Sequence, residues 1–233
     1  MKTKKYTKIL LLITAFGILT SCARKTDWDL YALEGKVKTY MESYYEPEMK
    51  FGEWVKGKPE KFRNYSVDFN TDGIYTGMDF LDDNNELRER LIAKSENGKL
   101  QEELRYGKDG EYIGETKFNY MSDSKLEFTS YDKNGEIIAQ GTSFLENDKV
   151  IRRDYKVIDD GKVSFEFRMQ FEYNEKGDIK SMREETEDGE VKKYAHKYLE
   201  FDDQNNWIKR LDYVDDISET PDKIIIRSYE YYK

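Results

Sequence analysis

The sequence predicts an all-β protein: a large, twisted and curled antiparallel meander of about thirteen strands, built from repeated hairpins and with little helix. Three observations support this prediction. Turn signals recur at nearly even spacing, and the segments between them alternate apolar and polar residues. The composition includes 19 tyrosines and 12 phenylalanines, which favour strands.

Two kinds of turn signal recur along the chain, and both contain residues that adopt positive φ angles. The longer kind runs from an aromatic residue through polar residues and a Gly or Asn to an apolar residue, and the shorter kind is centred on Asn-Gly or Asp-Gly. Twelve markers between Gly73 and Asp222 predict about thirteen strands. Examples are Phe69–Ile74, Tyr131–Ile137 and Tyr173–Ile179 for the longer kind, and Glu96–Leu100, Asp159–Val163 and Glu187–Val191 for the shorter.

Between the turns, one face of each segment is apolar and the other is polar, as expected for strands with one buried face. No proline occurs between Pro59 and Pro221, as a long hydrogen-bonded ladder requires. The best helical signal lies near Thr26–Leu33. The clearest alternation sets Phe165, Phe167, Met169, Phe171 and Tyr173 against Ser164, Glu166, Arg168, Gln170 and Glu172.

Thirteen strands exceed the roughly ten that an open twisted sheet accommodates without curling or splitting. We therefore expect the meander to curl over its aromatic face. A transmembrane barrel is the alternative, and it needs an apolar outer band. Segments such as Glu86–Arg90 and Gln101–Arg105 are too charged for that band.

The N-terminus has the parts of a secretory signal: four lysines, an apolar stretch over Ile9–Leu19 and small residues before a cleavage site. That stretch is about half the roughly 20 residues that a membrane-spanning helix needs. We therefore expect a signal peptide over residues 1–21, a tether with a short helix over 22–34, and a repetitive β-meander domain over 35–233.

Leu19-Thr20-Ser21-Cys22 resembles the lipobox of bacterial lipoproteins. The resemblance implies cleavage before Cys22, a diacylglycerol on its thiol and acylation of the new amine. Several acyl chains anchor a protein stably, whereas one chain binds only marginally. The expected location is therefore the bacterial cell envelope, with the outer membrane favoured and its face left open.

Charge and cysteine content exclude several classes of function. The net charge of −9 argues against a nucleic-acid partner and against attachment to anionic lipid through basic residues. Cys22 is the only cysteine, so the chain forms no internal disulfide. His196 is the only histidine, which excludes a histidine-rich zinc site, and nothing in the sequence implies a cofactor.

Several turns resemble the YD repeats of RHS-type proteins. The motif is found at Tyr131–Ile137, with a Tyr-Asn variant at Tyr173–Ile179. Phe201–Arg210 is similar to a version common in Bacteroidetes lipoproteins, and Leu33–Lys38 is similar to the opening of those proteins. The arginine that follows the glycine in RHS repeats is absent. The resemblance implies a β-meander envelope protein of unassigned activity and contributes no catalytic residues.

Two constellations are candidate sites. Asp68, Asn70, Asp72 and Asp79 have the spacing of calcium-loop ligands. However, the segments on both sides read as strands and the final ligand is not Glu, so a hairpin turn is favoured and no metal is assigned. The three tryptophans could form an aromatic binding surface, with cross-strand packing as the alternative. They are Trp28, Trp54 and Trp207.

The leading functional hypothesis is a non-catalytic binding or structural module for a protein or glycan partner, anchored to the membrane through Cys22. One alternative is a carboxylate-dependent glycan-active enzyme, although the many acidic residues do not single out a catalytic pair. Another is an immunity or chaperone-like partner of a neighbouring gene product.

Overall fold

The computed structural model describes residues 26–61, 63–215 and 220–233. Within these residues the chain forms a short helix, α1 (Asp27–Leu30), and fifteen antiparallel strands. No helix in this part of the chain is long and apolar enough to cross a membrane. The strands are β1 (Val37–Lys50), β2 (Glu53–Pro59), β3 (Tyr65–Phe69), β4 (Tyr75–Leu81), β5 (Leu87–Glu96), β6 (Lys99–Gly107), β7 (Tyr112–Ser122), β8 (Lys125–Asp132), β9 (Ile137–Glu146), β10 (Lys149–Asp159), β11 (Lys162–Tyr173), β12 (Ile179–Thr186), β13 (Val191–Phe201), β14 (Trp207–Val214) and β15 (Lys223–Tyr231).

The strands form a closed barrel, so the expectation of an open, curled meander of about thirteen strands is wrong. Each strand from β3 to β15 pairs with the next, and β1 pairs with β3 on one side and β15 on the other. The closed barrel therefore has 14 strands, and β2 is an extra strand paired with the outer part of β1. Closure removes the two unpaired edges that an open sheet would expose.

The closing seam joins segments at opposite ends of the described chain. Val37 lies opposite Tyr231, and Tyr45 lies opposite Ile224. Ile224 and Ile225, which point to opposite faces of β15, are both fully buried. A strand buried on both faces has no solvent-facing side, so apolar residues follow one another in it without alternation.

The longer kind of turn is a five-residue loop with a repeated hydrogen-bond pattern. In Asp132–Glu136, the N–H of Asp132 donates to the carbonyl of Glu136, and the N–H of Gly135 donates to the carbonyl of Asp132. The Asp132 carboxylate also accepts from the backbone of Asn134 and Glu136. Gly135 has φ of +86°. This arrangement matches a type I turn closed by a residue in the left-handed region.

The shorter kind of turn has two central residues with positive φ, as at Asn97-Gly98 and Asp160-Gly161. Asn147-Asp148 adopts the same geometry without glycine. Thr186–Glu190 instead has the five-residue pattern, so the assignment of Glu187–Val191 to the shorter kind is wrong.

The aromatic face of the strands points into the barrel lumen. On β11, the ring of Phe167 stacks on Tyr155 of β10, with centroids 4.9 Å apart, and Tyr173 lines a lumenal cavity. Glu166 and Arg168 flank Phe167 in the sequence and point outward. The alternation therefore identifies the two faces of this strand.

The outer face of the barrel carries ion pairs, some of which join neighbouring strands. Arg168 contacts Asp154 at 2.9 Å, and Lys156 contacts Glu166 at 2.9 Å. Such exposed pairs contribute little stability individually. Further pairs on this face are Arg90–Asp79, Lys94–Glu102, Lys117–Glu115, Lys125–Glu127 and Arg183–Glu185.

Residues 26–36, here called the plug segment, cover one end of the barrel. The N–H of Thr26 donates to the Asp29 carboxylate at 2.7 Å, which caps α1. The Trp28 indole N–H donates to the Val37 carbonyl at 2.8 Å. Trp28 packs against Gly73, where a Cβ would lie 2.5 Å from the ring. The plug segment is thus held against both the first strand and the β3–β4 turn.

The end of β1 and all of β2 form a hairpin outside the barrel. Trp54 of β2 packs with Tyr45 against an apolar patch of the outer wall. That patch consists of Leu211 and Tyr213 on β14 and Ile224 on β15, which are all buried. The hairpin therefore covers a part of the outer wall that would otherwise expose apolar residues.

Candidate functional site

The lumen contains two cavities that share Leu30 and Tyr31 of the plug segment and Tyr173 of β11. The large cavity, of about 520 Å³, is lined by the plug segment and by strands from β4 to β11. The charged cavity, of about 470 Å³, is lined by β1, β3 and strands from β11 to β15. Both volumes fall in the range of small-molecule sites.

An ion pair between the first and last strands lies in the charged cavity. Glu42 of β1 is directly opposite Arg227 of β15, and 1% of Glu42 and 9% of Arg227 are exposed. The Arg227 Nε–H donates to Glu42 Oε1 at 3.0 Å, and Nη2 donates to the same oxygen. The guanidinium also lies 3.8 Å from the ring centroid of Trp207 and 4.3 Å from that of Tyr40. The pair is therefore enclosed by aromatic rings.

A second charged group lies beside the first. Arg210 donates to both oxygens of Asp212, from Nε at 2.7 Å and from Nη2 at 3.1 Å. His196 Nδ1 lies 2.7 Å from Asp212 Oδ1. The guanidinium carbon of Arg210 is 4.9 Å from the ring centroid of Trp207, so this indole contacts two arginines, Arg210 and Arg227.

The cavity environment shifts the pKa values of these groups. Burial acts to raise the pKa of Glu42, but the charges of Arg227 and Arg210 and the hydrogen bonds to the carboxylate together outweigh burial and hold that pKa below the ordinary value. The pKa of Asp212 is likewise lowered, because its hydrogen bond to His196 and the charge of Arg210 outweigh burial. Burial raises the pKa of the Tyr40 phenol. At neutral pH the cavity thus has paired charges surrounded by neutral hydroxyl groups.

The large cavity has a wall of aromatic rings beside hydroxyl and charged groups. Phe128 is the centre of the wall, with its ring centroid 6.4 Å from that of Phe118 and 5.6 Å from that of Tyr155. Thr116 and Ser130 share a hydrogen bond of 2.8 Å on the same surface. An apolar surface with a few hydroxyl groups is typical of a site for a small amphipathic molecule.

Glu103 and Arg153 are two of the groups in the large cavity whose pKa values are shifted. Burial raises the pKa of Glu103, whose carboxylate accepts a hydrogen bond of 2.9 Å from the Tyr75 hydroxyl. Burial lowers the pKa of Arg153, whose Nε–H donates to the Ser143 hydroxyl at 3.0 Å. Both shifts disfavour the charged form, as expected for groups removed from water.

The three tryptophans lie in different parts of the fold and have different structural roles. Trp28 anchors the plug segment, Trp54 covers the outer wall, and Trp207 contacts the two arginines in the charged cavity. Trp207 lines the charged cavity, whereas Trp28 and Trp54 line neither of the two lumenal cavities. Cys22 lies outside the described residues.

The calcium-like residues have separate partners. Asp68 accepts from the Thr39 hydroxyl at 2.6 Å, and Asp79 pairs with Arg90 at 2.6 Å. The Asn70 side chain accepts from the backbone of its own turn. Across the described residues, no group of three or more His, Cys, Asp or Glu side chains is arranged to hold a metal ion.

The lumenal charges were not singled out by the sequence reasoning, although a signal was present. Glu42 is two residues from both Tyr40 and Tyr44, and Arg227 is two residues from Tyr229, so each charge shares a strand face with tyrosines. A charged residue in phase with the aromatic positions of a strand is expected on the buried face. The partner of each charge was not evident, because Glu42 and Arg227 are 185 residues apart in the chain.

Comparisons with known proteins give distant structural likenesses. A porin-like protein from Bacteroides vulgatus ATCC 8482 has 10% identity and a TM-score of 0.49, over 84% of this chain and 99% of that one. A porin-like protein from Bacteroides uniformis ATCC 8492 has 10% identity and a TM-score of 0.45, over 83% of this chain and 98% of that one. No family model and no curated protein matches the chain, so the likeness to YD repeats has no support from them.

Proposed function

We propose that this protein is a lipid-anchored envelope protein whose barrel lumen binds a small amphipathic molecule without transforming it. The observation that carries the proposal is the large cavity, of about 520 Å³, whose walls combine aromatic rings with hydroxyl and charged groups. Small-molecule sites are commonly concave, mostly apolar and formed in advance by the fold. The barrel wall provides such a site because its aromatic face points inward.

The distribution of charge supports a barrel that stands in water. Outward-facing residues such as Arg168, Asp154 and Lys156 would be costly in the hydrocarbon core of a membrane. Acyl chains on Cys22 would instead hold the barrel beside the membrane. The lipobox-like Leu19–Cys22 and the leader over residues 1–21 support this placement in the cell envelope, with the outer membrane favoured.

Access to the lumen is expected at the end opposite the plug segment. Phe165 lies near the start of β11, on the same lumenal face as Phe167, and is 44% exposed. The two rings have centroids 5.6 Å apart, so apolar surface is continuous from this position into the lumen. An amphipathic molecule would meet such a surface before it reached the large cavity.

A neutral fluorescent probe, N-phenyl-1-naphthylamine, tests the proposal on the purified full chain. Its emission should rise on binding to the parent protein. Ser130→Phe should abolish most of that rise, because a ring at position 130 fills the large cavity. Thr129→Phe is the matched control. Thr129 is the neighbour of Ser130 on β8 and points outward, so this substitution should leave binding unchanged.

Two results would contradict lumenal binding: no rise with the parent protein, or an equal rise with both variants. Circular dichroism and thermal melting of each variant would establish that the barrel is folded. If the protein instead acts only by binding a partner through its outer wall, the probe should give the same emission with Thr129→Phe and with Ser130→Phe.

A carboxylate-dependent glycan-active enzyme is the second candidate, and Glu103 is the observation that favours it. A buried carboxyl group with a raised pKa has the property required of a general acid in glycoside hydrolysis. Release of nitrophenol from an aryl glycoside by the parent protein, lost in Glu103→Gln, would favour catalysis over binding alone.

A further inference from the structure

Arg153 is a partly buried cation on the wall of the large cavity. It lies on β10, directly opposite Ser143 of β9, and its Nε–H donates to the Ser143 hydroxyl at 3.0 Å. Its guanidinium carbon is 5.8 Å from the ring centroid of Phe128. The side chain is therefore fixed on one edge by a hydrogen bond and lies beside an aromatic wall.

Arg153 differs from the two arginines of the charged cavity in its partners. Arg227 pairs with Glu42 and Arg210 pairs with Asp212, whereas no carboxylate oxygen of the described residues lies within 4.0 Å of the Arg153 guanidinium. Nor does any described residue accept a hydrogen bond from its two terminal amino groups. Four N–H donors of a permanently charged group thus remain available inside the cavity.

Glu103, in the same cavity, does not neutralise Arg153 by direct contact. Its carboxylate accepts a hydrogen bond from the Tyr75 hydroxyl at 2.9 Å, and the carboxylate oxygens lie more than 4.0 Å from the guanidinium nitrogens of Arg153. A partly desolvated charge without a paired counter-charge is unfavourable. An anionic group that entered the cavity would therefore gain both an ion pair and unused hydrogen-bond donors.

We propose that Arg153 binds the carboxylate of an amphipathic ligand whose apolar body lies against Phe118, Phe128 and Tyr155. The planar guanidinium fork matches the two oxygens of a carboxylate. The rings provide the surface for an aromatic or aliphatic body. This inference rests on the proposed lumenal binding and adds the ligand class and the residue that selects it.

Calorimetric titration of the purified full chain with 4-phenylbutyrate and with its neutral amide tests the inference. The parent protein should bind the carboxylate at least about tenfold more tightly, as expected for hydrogen bonds to a charged group. Arg153→Met should remove that preference. Arg152→Met is the matched control, because Arg152 is adjacent in sequence but pairs with Asp154 on the outer face at 2.8 Å, so the preference should persist.

The outcomes separate this inference from the proposed function. If N-phenyl-1-naphthylamine binds in the lumen but the parent protein shows no preference for the carboxylate, ligand selection by Arg153 is wrong and lumenal binding stands. If the probe does not bind, the proposed function itself fails. Retained probe binding by Arg153→Met would show that this variant is folded. Tighter binding of phenyl phosphate than of 4-phenylbutyrate would overturn the assignment to carboxylates.

Discussion

At the scale of single residues, Glu42 and Arg227 are opposite charges that depend on each other inside the lumen. Both are buried, and the Nε–H of Arg227 lies 3.0 Å from the Glu42 carboxylate. Removal of one partner would leave the other as an uncompensated charge among the rings of Tyr40 and Trp207. Removing one partner of a buried ion pair is therefore more destabilising than replacing both residues with apolar ones.

We expect Glu42→Gln to lower the free energy of unfolding by about 3–5 kcal/mol at neutral pH. The pKa of Glu42 is lowered in the folded protein, so the pair stabilises the fold above the ordinary carboxyl range and loses that effect as pH falls through the folded-state value. The difference between parent and variant should therefore be smaller in acid than at neutral pH. Urea unfolding followed by tryptophan fluorescence at both pH values measures it.

Glu166→Gln is the control for this substitution, because Glu166 pairs with Lys156 on the exposed outer wall at 2.9 Å. Its effect should be no more than about 1 kcal/mol. Equal losses for Glu42→Gln and Glu166→Gln would contradict the structural role of the buried pair.

At the scale of elements, local sequence was sufficient for most of the strands but not for the first two. All twelve turn markers from Gly73 to Asp222 lie between consecutive strands of the β3–β15 series. The β1–β2 turn was missed because Phe51 and Gly52 replace the usual Asn-Gly, although Phe51 has φ of +54°. This segment also contains Pro47 and Pro59, and proline is disfavoured within a sheet.

The missed hairpin makes a testable contribution to stability through Trp54. Trp54 packs against the outer-wall cluster formed by Leu211, Tyr213 and Ile224. Trp54→Ala should lower the free energy of unfolding by about 1–2 kcal/mol, less than the 3–5 kcal/mol of a fully buried aromatic ring, because Trp54 is half-buried. Urea unfolding monitored by circular dichroism measures the change.

Phe51→Ala is the matched control at the tip of the same hairpin. Phe51 is fully exposed and should contribute less than about 0.5 kcal/mol. If Trp54→Ala were as mild as Phe51→Ala, the packing of the hairpin on the outer wall would be unimportant for stability.

At the scale of the whole molecule, closure depends on contacts that no local pattern contains. The alternation of β11 identifies its lumenal face, but a curled sheet and a barrel would both bury that face. The consecutive Ile224, Ile225 and Ile226 are a signal against an edge position for β15, since an edge strand with one wet face should alternate. The partner of β15 is β1, and their pairing could not be read from spacing alone.

Amide hydrogen exchange distinguishes closure from an open sheet. In the barrel, β1 residues 39–42 lie between β3 and β15, so amides on both edges of this segment are paired. We expect them, and those of β15 over 224–226, to exchange as slowly as the amides of β9 and β10. The outer edge of β2 has no partner strand among the described residues, so every second amide over 53–58 should exchange quickly and serve as the internal control. Fast exchange at alternate positions of both β1 and β15 would mean that the seam is open, and an open seam would remove the enclosed lumen that the binding proposals require.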